Sequence, residues 1–137
     1  MNSTRPDLAA MLIRHEGLRL KPYRCPAGKL TIGCGRNLED VGISRDEAMD
    51  LLCNDIAIHQ AEMERFPWFA GLSGQRKNAL IDMHFNLGDP AFRGFKRMIA
   101  ALAAGDYNAA ADEMLASAWA RQVGARATEL ADMMRRG

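Results

Sequence analysis

One stretch of this chain reads as strand, and what surrounds it reads as helix. Residues 18–25 (LRLKPYRC) and 29–35 (KLTIGCG) are short extended pieces, with Pro26-Ala27-Gly28 as the turn between them. A small antiparallel hairpin or meander fits best. Before it, Pro6 sits where a first helical turn tolerates it, and Leu8, Met11 and Leu12 follow at helical spacing. Gly17 stops that helix one residue after Glu16. Strands confined to one N-terminal block, with helices elsewhere, make the fold class α+β.

The rest of the chain carries helix signals in series. Ser44-Arg45-Asp46-Glu47 is a capping-box signature that opens a long helix over about 44–65, which Pro67 ends. Ser73 can cap the next helix, with Ala79, Leu80, Met83 and Leu87 inward and Gly88 as its stop. A helix over about 93–104 ends at Gly105, Asp106 caps another to about 117, and a last one spans about 123–134. The spacing therefore predicts one domain over residues 1–137, with a β lobe at about 17–43 and a helical lobe at about 66–137. A cleft between such lobes suits an extended polymer.

Composition removes several function classes. Net charge is +1, so no strong field commits the chain to nucleic acid or an anionic membrane. With aromatics at 7%, the core is expected to lean on Leu, Ile, Ala and nine Met. No apolar stretch approaches the roughly 20 residues of a membrane span. The N-terminal segment MNSTRPDLAAMLIRHEG is charged and amphipathic, unlike a signal peptide. Synthesis in the cytoplasm without an export signal is the expectation. Cys25, Cys34 and Cys53 are too few and too widely spaced for a disulfide scaffold or zinc site, so reduced thiols are expected. His15, His59 and His84 share no ligand spacing, and neither metal nor cofactor is expected.

Glu16 stands where the first helix should meet the sheet. A carboxyl group there would be partly desolvated, which raises its pKa and suits it to proton donation. An exposed helix-end glutamate is the plain alternative. Its neighbours add weight. Cys25 follows after eight residues and Thr31 after five more, within Thr31-Ile32-Gly33-Cys34-Gly35. With Glu16-Gly17-Leu18-Arg19-Leu20-Lys21 and Tyr23, this resembles the phage-type lysozymes of glycoside hydrolase family 24. Their signature is a glutamate, eight residues, an aspartate or sometimes a cysteine, five residues, and a threonine in T-x-G-x-G. The resemblance extends through Ala79-Leu80 and Phe85-Asn86-Leu87-Gly88, Gly105-Asp106, Ala110-Ala111, Trp119, and Gly124 to Arg126.

The resemblance implies a lysozyme-like fold and an N-acetylmuramidase. Such an endolysin would cleave the β-1,4 bond between N-acetylmuramic acid and N-acetylglucosamine in peptidoglycan. Glu16 would be the general acid, Cys25 the second catalytic group, and Thr31 the residue that positions water. Arg126 would pair with or orient the glutamate, and Asn86 would line the cleft. For these two, a solvated arginine and a helix-capping asparagine are the alternatives. A monomer acting on glycan strands in the periplasm, released by a holin-like pore and without a nucleic-acid partner, completes the expectation.

Two departures from the family pattern bear on mechanism. No Asp or Glu occurs from 17 to 36, so the hairpin supplies no second carboxylate for the two-carboxylate scheme. Cys25 can replace it only as a thiolate, which nearby Arg19, Lys21, Arg24, Lys29 and Arg36 would favour. A packed cysteine, or a Cys25–Cys34 disulfide, is the alternative. Many relatives also carry histidine where Arg36 stands, and an Arg36–Asp55 pair is the expected structural tie. A lytic transglycosylase leaving anhydromuramyl ends, or a non-catalytic glycan-binding module, remain the competing functions.

Overall fold

The computed structural model describes residues 5–137. The part of the expected N-terminal helix that falls on residues 1–4 lies outside the described residues. Among those described are eight helices and one three-stranded antiparallel sheet. The fold is α+β and lysozyme-like, with the strands collected near the N-terminus. The chain forms two compact units, residues 1–50 and 51–137. No helix of the described residues is long and apolar enough to cross a membrane.

The first unit begins with α1 (Pro6–Glu16), which carries proline in its first turn. Gly17, at φ +81°, ends it with its amide donating to the Ile13 carbonyl at 2.8 Å. That left-handed backbone is open to glycine and costly for other residues, so the chain leaves the helix here. The strands β1 (Arg19–Arg24), β2 (Leu30–Gly33) and β3 (Arg36–Asn37) follow as a meander in the order β1-β2-β3. Tyr23 stands opposite Thr31 and Arg24 opposite Leu30, with a bulge between Arg19 and Tyr23. At the turn the Gly28 amide donates to the Cys25 carbonyl at 2.8 Å, and the Cys25 amide to the Lys29 carbonyl at 3.0 Å.

The capping box at Ser44 forms as its sequence predicts. The Glu47 amide donates to Ser44 Oγ at 3.1 Å, and the Ser44 amide to Glu47 Oε1 at 2.9 Å. Helix α2 (Arg45–Met63) starts there and continues past the boundary between the units.

The second unit packs α3 (Gly74–Leu87), α4 (Asp89–Arg93), α5 (Lys96–Ala103), α6 (Tyr107–Leu115), α7 (Ala118–Val123) and α8 (Ala125–Arg136) around one core. Ser73, Asp106 and Ser117 cap α3, α6 and α7 by accepting amides three residues on. Two short helices stand beside the expected ones. The segment at 93–104 is found as α5 and is preceded by α4, which Asp89-Pro90 starts and Gly94 ends. The segment at 123–134 is preceded by α7, since Ser117 opens a helix and Gly124, at φ +60°, closes it.

Five methionines, Met63, Met83, Met98, Met114 and Met134, are fully buried beside Phe69, Phe92, Leu80 and Leu102. Unbranched thioether side chains fill the irregular gaps that so few aromatics leave. Isoleucine, expected to share this work, is absent from the buried core among the described residues. Arg76 on α3 donates to the Met134 carbonyl at 2.7 Å and the Arg135 carbonyl at 3.1 Å, and its guanidinium lies 3.8 Å over the Tyr107 ring. It thereby satisfies carbonyls that the end of α8 leaves without helical partners.

Candidate active site

In the first unit the catalytic candidates lie on the hairpin and at the end of α1. Because Tyr23 faces Thr31 and Cys25 bonds to Lys29, Cys25 and Thr31 are diagonal neighbours on one face of the β1–β2 ladder. Thr31 is buried, at 3% exposure, and its hydroxyl donates to the Lys29 carbonyl at 2.8 Å. Cys25 is half-buried and free of any disulfide, as are Cys34 and Cys53, both exposed. A bridge from Cys25 to Cys34 is not formed.

The Cys25 thiol lies below its ordinary pKa, in the direction the sequence suggested but for another reason. The Lys29 backbone amide contributes most, with the Ala27 amide and the Thr31 hydroxyl adding to it, while burial opposes them. A tight turn that points amides at a sulfur favours the thiolate as surely as nearby cations would. Three of the five cations are paired with carboxylates instead. Arg24 pairs with Glu39 at 2.9 Å, Lys29 with Asp40 at 3.4 Å, and Arg36 with Glu47 at 2.8 Å.

Glu16 reaches the other side of the T-x-G-x-G turn. Its Oε2 lies 3.6 Å from where a Cβ on Gly35 would stand, and Gly35 holds φ +77°. A side chain at 35 would be strained in that backbone, while its Cβ would stand in ordinary contact with the carboxylate. Contrary to the expected desolvation, Glu16 is exposed, because none of α1 is buried. Beside this turn Ile32, Val41, Ile43 and Glu47 help to line an open groove of about 600 Å³.

Arg36 does not take the expected Asp55 as its partner. It donates to Glu47 Oε1 at 2.8 Å and to the Gly42 carbonyl at 3.2 Å. The capping box has already fixed the Glu47 carboxylate with its oxygen facing back along the chain, where a residue eleven positions earlier meets it.

In the second unit the two remaining candidates have local partners. Asn86 accepts the indole N–H of buried Trp119 at 2.8 Å, which ties α3 to α7. Arg126 donates to Asp82 Oδ1 at 2.8 Å, an exposed pair between α8 and α3. Arg126 and Asp82 edge a groove of about 400 Å³ whose floor is Leu52, Ile56, Ile81 and Phe85.

Comparison with known proteins gives the family. A family profile described as phage lysozyme matches residues 13–136. The chain belongs to the phage lysozyme family. It is 32% identical over 134 residues to an endolysin of Acyrthosiphon pisum secondary endosymbiont phage 1, covering 92% of this chain and 86% of that protein. It is 35% identical over 106 residues to the SAR-endolysin of Escherichia phage Mu, covering 75% of this chain and 61% of that one. A third relative, the pre-baseplate central spike protein of Enterobacteria phage T4, is 29% identical over 153 residues. This lysozyme-family chain matches 27% of that protein's length, so it corresponds to one portion of it. Membership makes the chain a lysozyme-type hydrolase of the phage-related lytic class.

One cluster in this phage lysozyme escaped the sequence pattern. His59 and Glu62, three residues apart on α2, face His84 of α3, and Asp89 completes the group. His84, fully buried, holds the Asp89 carboxyl below its ordinary range by hydrogen bonding, with Arg93 adding to the effect. Histidine-to-histidine spacing alone concealed it. The available signal was His59-x-x-Glu62, which places a nitrogen and a carboxylate on one helical face.

Proposed function

We propose that this chain is an endolysin that hydrolyses the β-1,4 bond between N-acetylmuramic acid and N-acetylglucosamine in peptidoglycan. Glu16 protonates the leaving oxygen. The Cys25 thiolate faces the developing oxocarbenium ion and activates the attacking water. Thr31, buried in the sheet, acts through Cys25 by fixing the turn and sharing its hydroxyl with the sulfur. Arg126 serves the glycan as an exposed cation, and Asn86 acts through the fold by anchoring Trp119. Desolvation of the exposed Glu16 comes from the glycan itself as it covers the turn at Gly35.

The observation that carries this reading is the Cys25 thiol, held below its ordinary pKa by turn amides next to Thr31 in a hairpin without carboxylates. The shift favours an anion where the two-carboxylate scheme needs one. The test is digestion of purified peptidoglycan by the full chain and by Glu16→Gln, with products read by mass spectrometry. Hydrated reducing ends from the parent and a loss of roughly 10² to 10⁴ in rate for the variant are expected. Anhydromuramyl ends would instead make the chain a lytic transglycosylase. An undiminished Glu16→Gln variant would remove Glu16 from the chemistry, and glycan binding without cleavage by the parent would leave a binding module.

A further inference from the structure

His84 sits at the centre of a set of donors that the hydrolytic chemistry does not use. It is fully buried. Its Nε2 lies 2.8 Å from Asp89 Oδ1 and 3.2 Å from Glu62 Oε2, while its Nδ1 lies 2.7 Å from His59 Nδ1. Two ring nitrogens that close cannot both carry protons towards each other. The carboxylates at Nε2 fix the His84 proton on that side, so His84 Nδ1 presents its lone pair to His59. A metal-binding histidine takes this tautomer, with the far N–H held by a carboxylate.

One ligand atom from each of His59, Glu62 and His84 lies within 4.8 Å of the others. His84 is buried against the Phe92 ring, whereas His59 and Glu62 are half-buried and leave a solvent side. We propose that His59 Nδ1, His84 Nδ1 and the Glu62 carboxylate bind one zinc-class divalent cation, with Asp89 orienting His84 and water as the fourth ligand. Two imidazoles and one carboxylate suit zinc and its neighbours, and select against calcium or magnesium, which prefer oxygen. Nitrogens on one tetrahedral ion stand about 3.3 Å apart, given metal–nitrogen bonds of about 2.0–2.1 Å. His59 must therefore draw back by roughly half an ångström, a movement open to a half-buried ring, and Glu62 must turn from Nε2 towards the ion. As the metal enters, the proton now between the two Nδ1 atoms moves to His59 Nε2, so the neutral ring takes its other tautomer. Because His59 and Glu62 are on α2 and His84 on α3, the ion clamps those two helices.

The full chain, with its three cysteines blocked by iodoacetamide, is titrated with zinc chloride and separately with cobalt chloride. Expected are one ion per chain and a melting temperature that rises with free zinc. Bound cobalt should show a visible ligand-field band without sulfur charge transfer. His59→Ala and Glu62→Gln should each weaken binding at least tenfold, and Asp89→Asn by about 10- to 100-fold as an outer partner. His15→Ala should bind as the parent does. His59 and Glu62 are half-buried, so these variants keep the test independent of whether a change at buried His84 folds. Binding only at millimolar zinc, or binding by His59→Ala as tight as the parent's, overturns the site.

Discussion

The Arg36 guanidinium donates to Glu47 Oε1 at 2.8 Å, joining the third strand to the first turn of α2. The same oxygen accepts the Ser44 amide at 2.9 Å, so one carboxylate both caps a helix and holds the end of the sheet. The hydrogen bond from Arg36 is the first cause that lowers the Glu47 carboxyl from 4.5 to about 2. Since the folded value is depressed, this contribution to stability is complete above about pH 4.5 and is lost as pH falls through about 2. Glu47→Gln should remove that part of the acid dependence. The measurement is the loss of Ser44 amide protection between those pH values, present in the parent and flat in the variant.

Ser44→Ala tests the other half of the box. It leaves the Glu47 amide without its side-chain acceptor and should cost about 1 kcal/mol, read as a lower urea midpoint at unchanged slope. A variant as stable as the parent would show that water replaces the cap.

Asn86 should matter more for stability than for rate. Trp119 is 4% exposed and donates its indole N–H to the Asn86 side chain. Asn86→Ala strands that buried donor, at a cost of about 1–3 kcal/mol. Turnover per folded molecule should stay near the parent's, and a loss of rate with intact stability would give Asn86 a direct place on the glycan.

Arg126 should behave in the opposite way. Its pair with Asp82 is exposed, and such pairs contribute about 0–1 kcal/mol. Arg126→Ala and Asp82→Ala should both leave the melting temperature nearly unchanged. Peptidoglycan cleavage should fall for Arg126→Ala and persist for Asp82→Ala, which frees the arginine. Equal activity in both would make the pair a surface contact without a catalytic part.

How legible this was depends on the range over which each choice is made. The capping box at Ser44, the caps at Ser73 and Asp106, and the Pro-Ala-Gly turn are decided within a few residues and stand as the sequence predicts. Helix α7 was equally local, since Ser117 is a cap that went unread. Partner choice was less legible. Arg36 could reach Asp55 or Glu47 on sequence alone, and the orientation imposed by the cap decides for Glu47. The gathering of His59, Glu62 and His84 was the least legible, because it brings a face of α2 onto a residue of α3 twenty-five positions away.

Cys25 offers the sharpest test, because catalytic and packing roles rank its variants in opposite orders. Cys34 and Cys53 are exposed and would alkylate too, so the experiment belongs in a Cys34→Ser, Cys53→Ser background. There, iodoacetamide should inactivate the enzyme, and glycan fragments should protect it. The pH profile of alkylation should have its midpoint below the free-thiol value of about 8.5, because the Lys29 and Ala27 amides favour the thiolate. Cys25→Ser keeps the size but loses a group that ionises near neutral pH, and cleavage should fall sharply. Cys25→Asp restores an anion at nearly the same place, where the same amides can receive it, and should retain more activity than the serine variant. If instead Cys25→Ser cleaves as well as the parent while Cys25→Asp unfolds the hairpin, the sulfur is there for packing. The second catalytic group would then have to be sought outside residues 17–36, where no carboxylate exists.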